Sequence, residues 1–337
     1  MVTIAEVARH AGVAPSTVSY ALTGKRSISA DTRARVEESV RVLGYHRHAG
    51  ARALASNRAN VLALVLPLRA GMHVPVLMRF VVSVVTAARK HSQDVLLVTA
   101  DEGAAGLRRV AGGAQADGVL VMDVEMHDER VPVLRELDRP SVLIGYPADA
   151  TGLTCVDLDF AAAGSRCVDH LADLGHRYIG LLGAPKAVYQ RDTGYAHRTM
   201  AGFGAAAMRR GISATTVPTE NDYQSVLRTV AELLREHPAL TGLVVHNEAA
   251  LGAVVEGLRV LGRRVPEDIA VVAICPDEMA EHLSPPLTSV QVPAEELGAR
   301  AVDLLMSKLD RTAVPALTLL PPRLTDRASA ERRHPAA

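Results

Sequence analysis

Nine basic side chains fall within the first sixty residues: Arg9, Lys25, Arg26, Arg33, Arg35, Arg41, Arg47, Arg52 and Arg58. Only Glu6, Asp31, Glu37 and Glu38 oppose them there, so this segment carries about +5 while the chain as a whole is neutral. A basic head on an acidic remainder is the charge distribution of a protein that docks on phosphates. Residue types for catalysis are not grouped in the same way. There is no Gly-x-Ser-x-Gly, no His-Glu-x-x-His and no phosphate loop, and Gly103, Gly106, Gly112 and Gly113 are too loosely spaced for a dinucleotide fingerprint. Cys155, Cys167 and Cys275 are too few and too scattered for a disulfide framework or a zinc site. Cys275 stands near Asp277 with no histidine that the sequence can assign to it, which reads as a buried structural thiol. No metal and no cofactor is expected.

The basic residues need a scaffold, and the first 45 residues supply a short one. Thr3-Ile4-Ala5-Glu6 has the spacing of a capping box, and Ile4, Val7, Ala8 and Ala11 follow one helical face. Gly12-Val13 breaks that helix, Pro15 suits the first turn of a second, and Val18, Ala21 and Leu22 point its apolar side inward. Ser29 is a plausible N-cap for a third helix carrying Val36, Val40 and Leu43. Two short helices around a glycine turn make a helix-turn-helix; a generic helical hairpin is the plainer alternative. Residues 46–58 are basic and alanine-rich, either an inert linker or a short helix that is marginal in water.

With 337 residues and 48% hydrophobic content the chain can bury more than one core. After Asn60, apolar runs at 61–66, 94–98, 118–122, 141–144, 178–182, 243–245 and 269–274 alternate with amphipathic stretches at 76–91, 161–174, 198–210, 225–237 and 249–261. That alternation predicts parallel sheets covered by helices on both faces, and its length calls for two α/β lobes. No apolar run reaches the ~18 residues needed to span a bilayer, and the first residues lack the blocks of a secretion signal. The expected location is the cytoplasm, with no membrane partner.

The head resembles that of the LacI/GalR repressors, through Thr3-Ile4-Ala5-Glu6-Val7-Ala8, Ala11-Gly12-Val13, Thr17-Val18-Ser19, Leu22, Gly24, Val36 and Leu43-Gly44-Tyr45. The likeness continues through Leu174-Gly175-His176-Arg177, Asn247-Glu248, Val265-Pro266-Glu267-Asp268-Ile269, Pro285-Pro286-Leu287-Thr288 and Leu319 to Ser329. The resemblance implies an N-terminal all-α helix-turn-helix head, residues 1–45, and a hinge, 46–59. It also implies a two-lobed α/β body of periplasmic-binding-protein type over 60–330, with a disordered tail at 331–337. Its partners would be double-stranded operator DNA, a small sugar-like effector and a second copy of the chain, with no C-terminal coiled coil to make a tetramer. In that family the second helix lies in the major groove, so Pro15, Ser16, Ser19 and Tyr20 would read bases and Thr17 would meet phosphate. The hinge would place Leu54, beside Ala53 and Ala55, as a minor-groove wedge, with Arg52 and Arg58 on phosphates.

Several positions depart from the family pattern. Ala14 replaces a polar N-cap, which weakens the start of the second helix by about 1 kcal/mol. Tyr20 replaces an arginine that could grip a guanine edge, so a different operator is expected. Arg47-His48 replaces a Pro-Asn at the hinge entry.

The body's chain would cross between lobes near Asp159, at 289–292 and near Leu319, and the effector would sit between the lobes at strand C-terminal ends. The implied effector residues are Arg69, His73, Tyr146, Phe160, Tyr189, Tyr195, Arg198, Asn247 and Asp277. Arg198 would stand in for a family arginine at Thr199, and Asn247 could be a ligand contact, a helix N-cap or both. Asp277 is the remaining member of a family carboxylate pair. A regulator of carbohydrate genes is the reading that follows, with a purine-responsive regulator as the alternative. An enzyme or a transport solute-binding protein is the outside class.

Overall fold

The structure, a computed structural model, describes residues 2–23, 26–45, 58–113 and 115–332. The chain divides into two compact units, Met1–Ala59 and Asn60–Ala337. Within the hinge, Arg52, Leu54 and Ala55 lie outside the described residues; Arg58 lies inside them and is exposed.

Among its described residues the first unit holds three helices: α1 (Ile4–Ala11), α2 (Pro15–Thr23) and α3 (Ala30–Leu43). The capping box at the start of α1 is complete. The Thr3 hydroxyl accepts from the Glu6 N–H at 3.3 Å, and the Thr3 N–H donates to the Glu6 carboxylate at 2.7 Å. Gly12 ends α1 at φ +66°, a left-handed backbone that admits glycine without strain. Val7, Ala8 and Ala11 of α1, Val18 and Ala21 of α2, and Val36 of α3 form the buried core of this head. A polar tie reinforces it: the Ser39 hydroxyl donates to the Arg35 carbonyl at 2.7 Å and accepts from His10 Nδ1 at 3.0 Å. Because the hydroxyl's one proton is used, the imidazole proton sits on Nδ1.

The second unit is built on two six-stranded sheets. In the first, β1 (Val61–Val65), β2 (Asp94–Val98), β3 (Gly118–Val121), β4 (Ser141–Ile144), β5 (Cys155–Leu158) and β11 (Leu317–Leu320) run parallel in the order β11-β5-β4-β3-β1-β2. The second sheet holds β6 (Tyr178–Gly183), β7 (Ser213–Pro218), β8 (Gly242–Val245), β9 (Ala270–Cys275), β10 (Thr288–Gln291) and β12 (Leu324–Thr325). Its order is β12-β10-β9-β8-β6-β7, with β12 alone antiparallel.

Helices α4 (Val74–Lys90), α5 (Gly103–Gly112) and α6 (Val131–Glu136) lie between strands of the first sheet. Helices α7 (Phe160–Asp173), α8 (Lys186–Gln190), α9 (Gly194–Arg209), α10 (Tyr223–Glu236), α11 (Leu251–Val260) and α12 (Asp277–Glu281) belong with the second. Helix α13 (Ala294–Leu309) follows β10 but packs back on α4 and the first sheet. The chain therefore passes between sheets three times: at Asp159, at 292–293 and at 321–323.

Most strands that read as apolar runs, β1, β3, β4, β6, β8 and β9, are buried along nearly their whole length, since a strand covered on both faces needs no polar alternation; the run at 94–98 is β2, a sheet edge with mostly exposed residues. Those the pattern did not mark are β5, β7, β10, β11 and β12. β7 and β11 are sheet edges with half-exposed residues, β12 is two residues long, and β5 and β10 carry polar side chains inside their runs. At the start of the second lobe α7 and α9 touch backbone to backbone. A Cβ at Gly202 would lie 1.9 Å from the Ala161 carbonyl oxygen, and one at Gly164 would lie 2.4 Å from that of Thr199.

Candidate functional site

In the head, α2 keeps Val18 and Ala21 inward and turns Pro15 and Ser16 fully out, with Thr17, Ser19 and Tyr20 half-buried beside them. Pro15, Ser16, Ser19 and Tyr20 recur at helical spacing and so share a side of α2. The Arg26 guanidinium carbon lies 5.9 Å from the Tyr20 ring centroid, which adds a cation next to the phenol. Ala14 offers the start of α2 only its carbonyl, which accepts from Thr17 and Val18 N–H groups at 2.9 and 3.2 Å. This surface, basic around a short exposed helix, can present hydroxyls, a phenol and guanidinium groups to a duplex.

In the body, a cavity of about 120 Å³ lies at the C-terminal ends of the parallel strands, walled from both sheets. Its apolar wall includes Met72, Val76, Leu77, Phe80, Met122 and Val292. Its rings are arranged by secondary structure. Phe160 opens α7 and Tyr195 sits in the first turn of α9, and the close approach of these helices brings the two rings to 5.5 Å. His246 follows the last residue of β8 and meets both, at 5.6 Å from Phe160 and 5.5 Å from Tyr195. Tyr146, just past β4, forms another part of the wall, with the Arg198 guanidinium carbon 3.3 Å from its ring centroid. Arg198 is 9% exposed and donates to the Pro147 carbonyl at 3.3 Å.

Of the effector residues expected from sequence, His73, Tyr146, Phe160 and Tyr195 line this cavity, and Arg198 backs it through Tyr146. The structure places the other four elsewhere. Arg69 spends its guanidinium on Asp101, at 2.8 and 2.7 Å, and on Asp123 at 3.1 Å. Tyr189 stands edge-on to His197 and packs with Ala184 and Val188. Asn247 occupies the N-cap position of the turn after β8, yet its side chain does not cap. The amide donates to the Thr219 carbonyl at 2.6 Å, tying two loops together. Asp277 accepts from Ser289 at 2.8 Å and pairs with Arg327 at 3.3 Å. Thr199, the family arginine's counterpart, turns its hydroxyl back to the Tyr195 carbonyl.

Four polar wall groups were not singled out from sequence: Asp123, Asp157, His246 and Glu248. Asp157 sits inside the buried strand β5 and is 4% exposed. One carboxylate oxygen accepts from the Leu158 N–H at 2.9 Å, and the other has no partner in the protein. Burial pushes this carboxyl up to about 7, against the pull of Arg198. His246 is 3% exposed, its Nδ1 is unpartnered, and burial pushes the imidazole down to about 4, so it is neutral. Burial likewise raises the Glu248 carboxyl. An acid inside a run of buried strand residues was the available signal for Asp157.

The thiols of Cys155, Cys167 and Cys275 are buried, and burial raises all three above their ordinary range, Cys155 to about 12. Among the described residues no group of three or more His, Cys, Asp or Glu could hold a metal ion, and no helix is long and apolar enough to cross a membrane.

Comparison with known proteins agrees with both units. Residues 3–48 match the profile of bacterial regulatory proteins of the lacI family, and residues 168–330 match a periplasmic binding protein-like domain. The HTH-type transcriptional regulator CelR of Thermobifida fusca is 30% identical, with 97% of this chain and 98% of that protein covered. A solved structure described as a CelR–cellobiose complex matches 98% of this chain and all of its own, with 27% identity and a TM-score of 0.69. A lac repressor dimer bound to operator and an anti-inducer shares the fold at a TM-score of 0.85, over 98% of this chain and 99% of that one, at 22% identity. With the head, the two-sheet body and a relative of this identity matched along nearly its whole length, the chain belongs to the lacI family of DNA-binding transcription regulators.

Proposed function

We propose that this chain is a cytoplasmic, non-enzymatic repressor of carbohydrate genes whose operator affinity is set by a small sugar-like molecule held in the cleft of its body. The observation that carries the sensing half is the cavity between the two sheets, where Tyr146, Phe160 and Tyr195 offer ring faces and Asp157 and His246 offer unpartnered polar atoms. Ring faces against the apolar side of a sugar, with fixed polar groups at its hydroxyls, are what such a ligand needs. The CelR structure described with cellobiose supports the same ligand class. For the DNA half, α2 would lie in the major groove with Pro15, Ser16, Ser19 and Tyr20 at base edges and Thr17 on phosphate. Residues 46–59 would act as the hinge, Leu54 beside Ala55 wedging the minor groove and Arg52 and Arg58 on phosphates.

A two-fold dimer completes this reading. Val74, Met78 and Val82 lie one turn apart on α4, exposed by 48, 42 and 60%. Such an apolar stripe on a charged surface suits burial against a second copy.

The test is selection by the full chain from a randomised duplex pool. A near-palindromic site should be enriched, and Leu54→Ala should weaken binding to it by an order of magnitude or more. Enrichment of single half-sites, or of nothing, would overturn the DNA half. Unchanged affinity and bending with Leu54→Ala would reduce the hinge to a tether.

A further inference from the structure

The polar lining of the cleft is one-sided in charge. Asp123, Asp157 and Glu248 face the cavity, and no lysine or arginine is part of its wall. Asp123 is already matched by Arg69 at 3.1 Å. Asp157 has no such partner: it is 96% buried, and its Oδ2 makes no hydrogen bond within the protein. Arg198 lies close by and its charge acts on Asp157, but the two form no ion pair: the guanidinium rests on the Tyr146 ring, Nη2 donates to the Pro147 carbonyl, and Nη1 makes no hydrogen bond within the protein. The Nδ1 atoms of His73 and His246 are also unpartnered.

We propose that the cleft takes a carbohydrate bearing a protonated amine, an amino sugar, whose ammonium pairs with the Asp157 carboxylate while its ring face rests against Phe160 and Tyr195. This rests on the cleft being the effector site and names the ligand class that site selects.

The physical case is one of complementarity. A buried carboxyl without a partner is costly to ionise, and an ammonium removes that cost by supplying both a charge and donors. An ammonium carries three donors, which one hydroxyl of a neutral sugar cannot match. Aromatic faces favour a cation beside them, so Phe160 and Tyr195 add to the same preference. A sugar acid or sugar phosphate meets the opposite situation: the carboxyls of Asp157 and Glu248 on the wall, and no basic wall residue to receive it. The two imidazole nitrogens remain for ring hydroxyls.

The experiment uses the full chain and four hexoses that share one ring: D-glucosamine, D-glucose, N-acetyl-D-glucosamine and D-glucuronate. Binding is read by calorimetry at neutral pH, where the Asp157 carboxyl ionises and much of the amine still holds its proton, and operator affinity is read in parallel by fluorescence anisotropy. Glucosamine should bind roughly ten- to a hundredfold tighter than glucose, as one charge-assisted hydrogen bond provides, and glucuronate should not bind. Asp157→Asn should bring glucosamine and glucose to the same affinity. If that variant does not fold, the ranking of the four hexoses on the parent decides alone. Glucose or glucuronate binding as tightly as glucosamine, or no binding by any of the four, overturns the amine proposal. Glucose that binds and shifts operator affinity would do so while leaving the sensing function intact. Glucosamine that binds tightly without moving operator affinity would confirm the ligand class and contradict the sensing function.

Discussion

Asp157 and His246 face the same cavity and respond to burial in opposite directions, which makes the site's acid–base behaviour separable. Asp157 is held protonated up to about pH 7 in the fold but ionises near 3.8 when unfolded. The folded state therefore binds more protons in that window, and this residue's contribution to stability falls as pH rises from about 4 to 7. His246 runs the other way, since the unfolded state binds its proton first and stability is lost as pH falls from about 6.5 to 4. Comparing Asp157→Asn with the parent cancels the histidine. The variant's advantage in urea denaturation should be near zero at pH 4, grow through pH 7 and then level off, reaching at most about 4 kcal/mol. A difference that does not change with pH would show that Asp157 is ionised in the fold. At this scale the sequence was only partly readable. His73, Tyr146, Phe160 and Tyr195 could be anticipated because aromatic and polar residues next to strand ends have few other places to go. Arg69, Asn247 and Asp277 could not, because their partners Asp101, Thr219 and Arg327 are 32, 28 and 50 positions away and only the folded chain brings them together.

The elements place these side chains, and the α7–α9 pair does most of that positioning. Gly202 faces the Ala161 carbonyl and Gly164 faces Thr199, so the two helices meet without side chains between them and bring Phe160 beside Tyr195. Gly202→Ala should cost about 3 kcal/mol in urea denaturation, because the obstacle is backbone and cannot rotate away. Gly204→Ala, two residues on, meets nothing within 4 Å on an exposed face of the same helix and should stabilise by about 0.5–1 kcal/mol. Equal effects at both positions would show that helix propensity, and not the close crossing, governs this pair. Apolar runs located most of the buried strands to within a residue or so, since burial on both faces leaves a continuous signal, and they also marked the exposed edge strand β2. The short polar strands β5 and β10 leave no such run, and they are the strands that lead into two of the three passes between sheets.

For the whole molecule, the division of charge, about +5 on the first sixty residues and about −5 on the rest, anticipated a DNA-reading head carried by a body with another task. The fold class was legible because helix-turn-helix spacing and strand–helix alternation are regular patterns. The ligand was not, because the cleft is assembled from side chains scattered between Met72 and Val292. The central claim is that occupancy of this cleft sets operator affinity, and a cavity-filling substitution tests it directly. Leu77 lines the cleft from α4 and is only partly buried, so Leu77→Trp puts an indole where the ligand should go. Operator affinity of parent and variant, measured by fluorescence anisotropy across a titration of the same sugar, is the deciding measurement. The parent should shift by at least tenfold, and the variant should hold one affinity throughout, whichever state the indole favours. A variant that keeps its thermal stability and still follows the sugar as the parent does would contradict the account, because the controlling site would then lie outside the cleft.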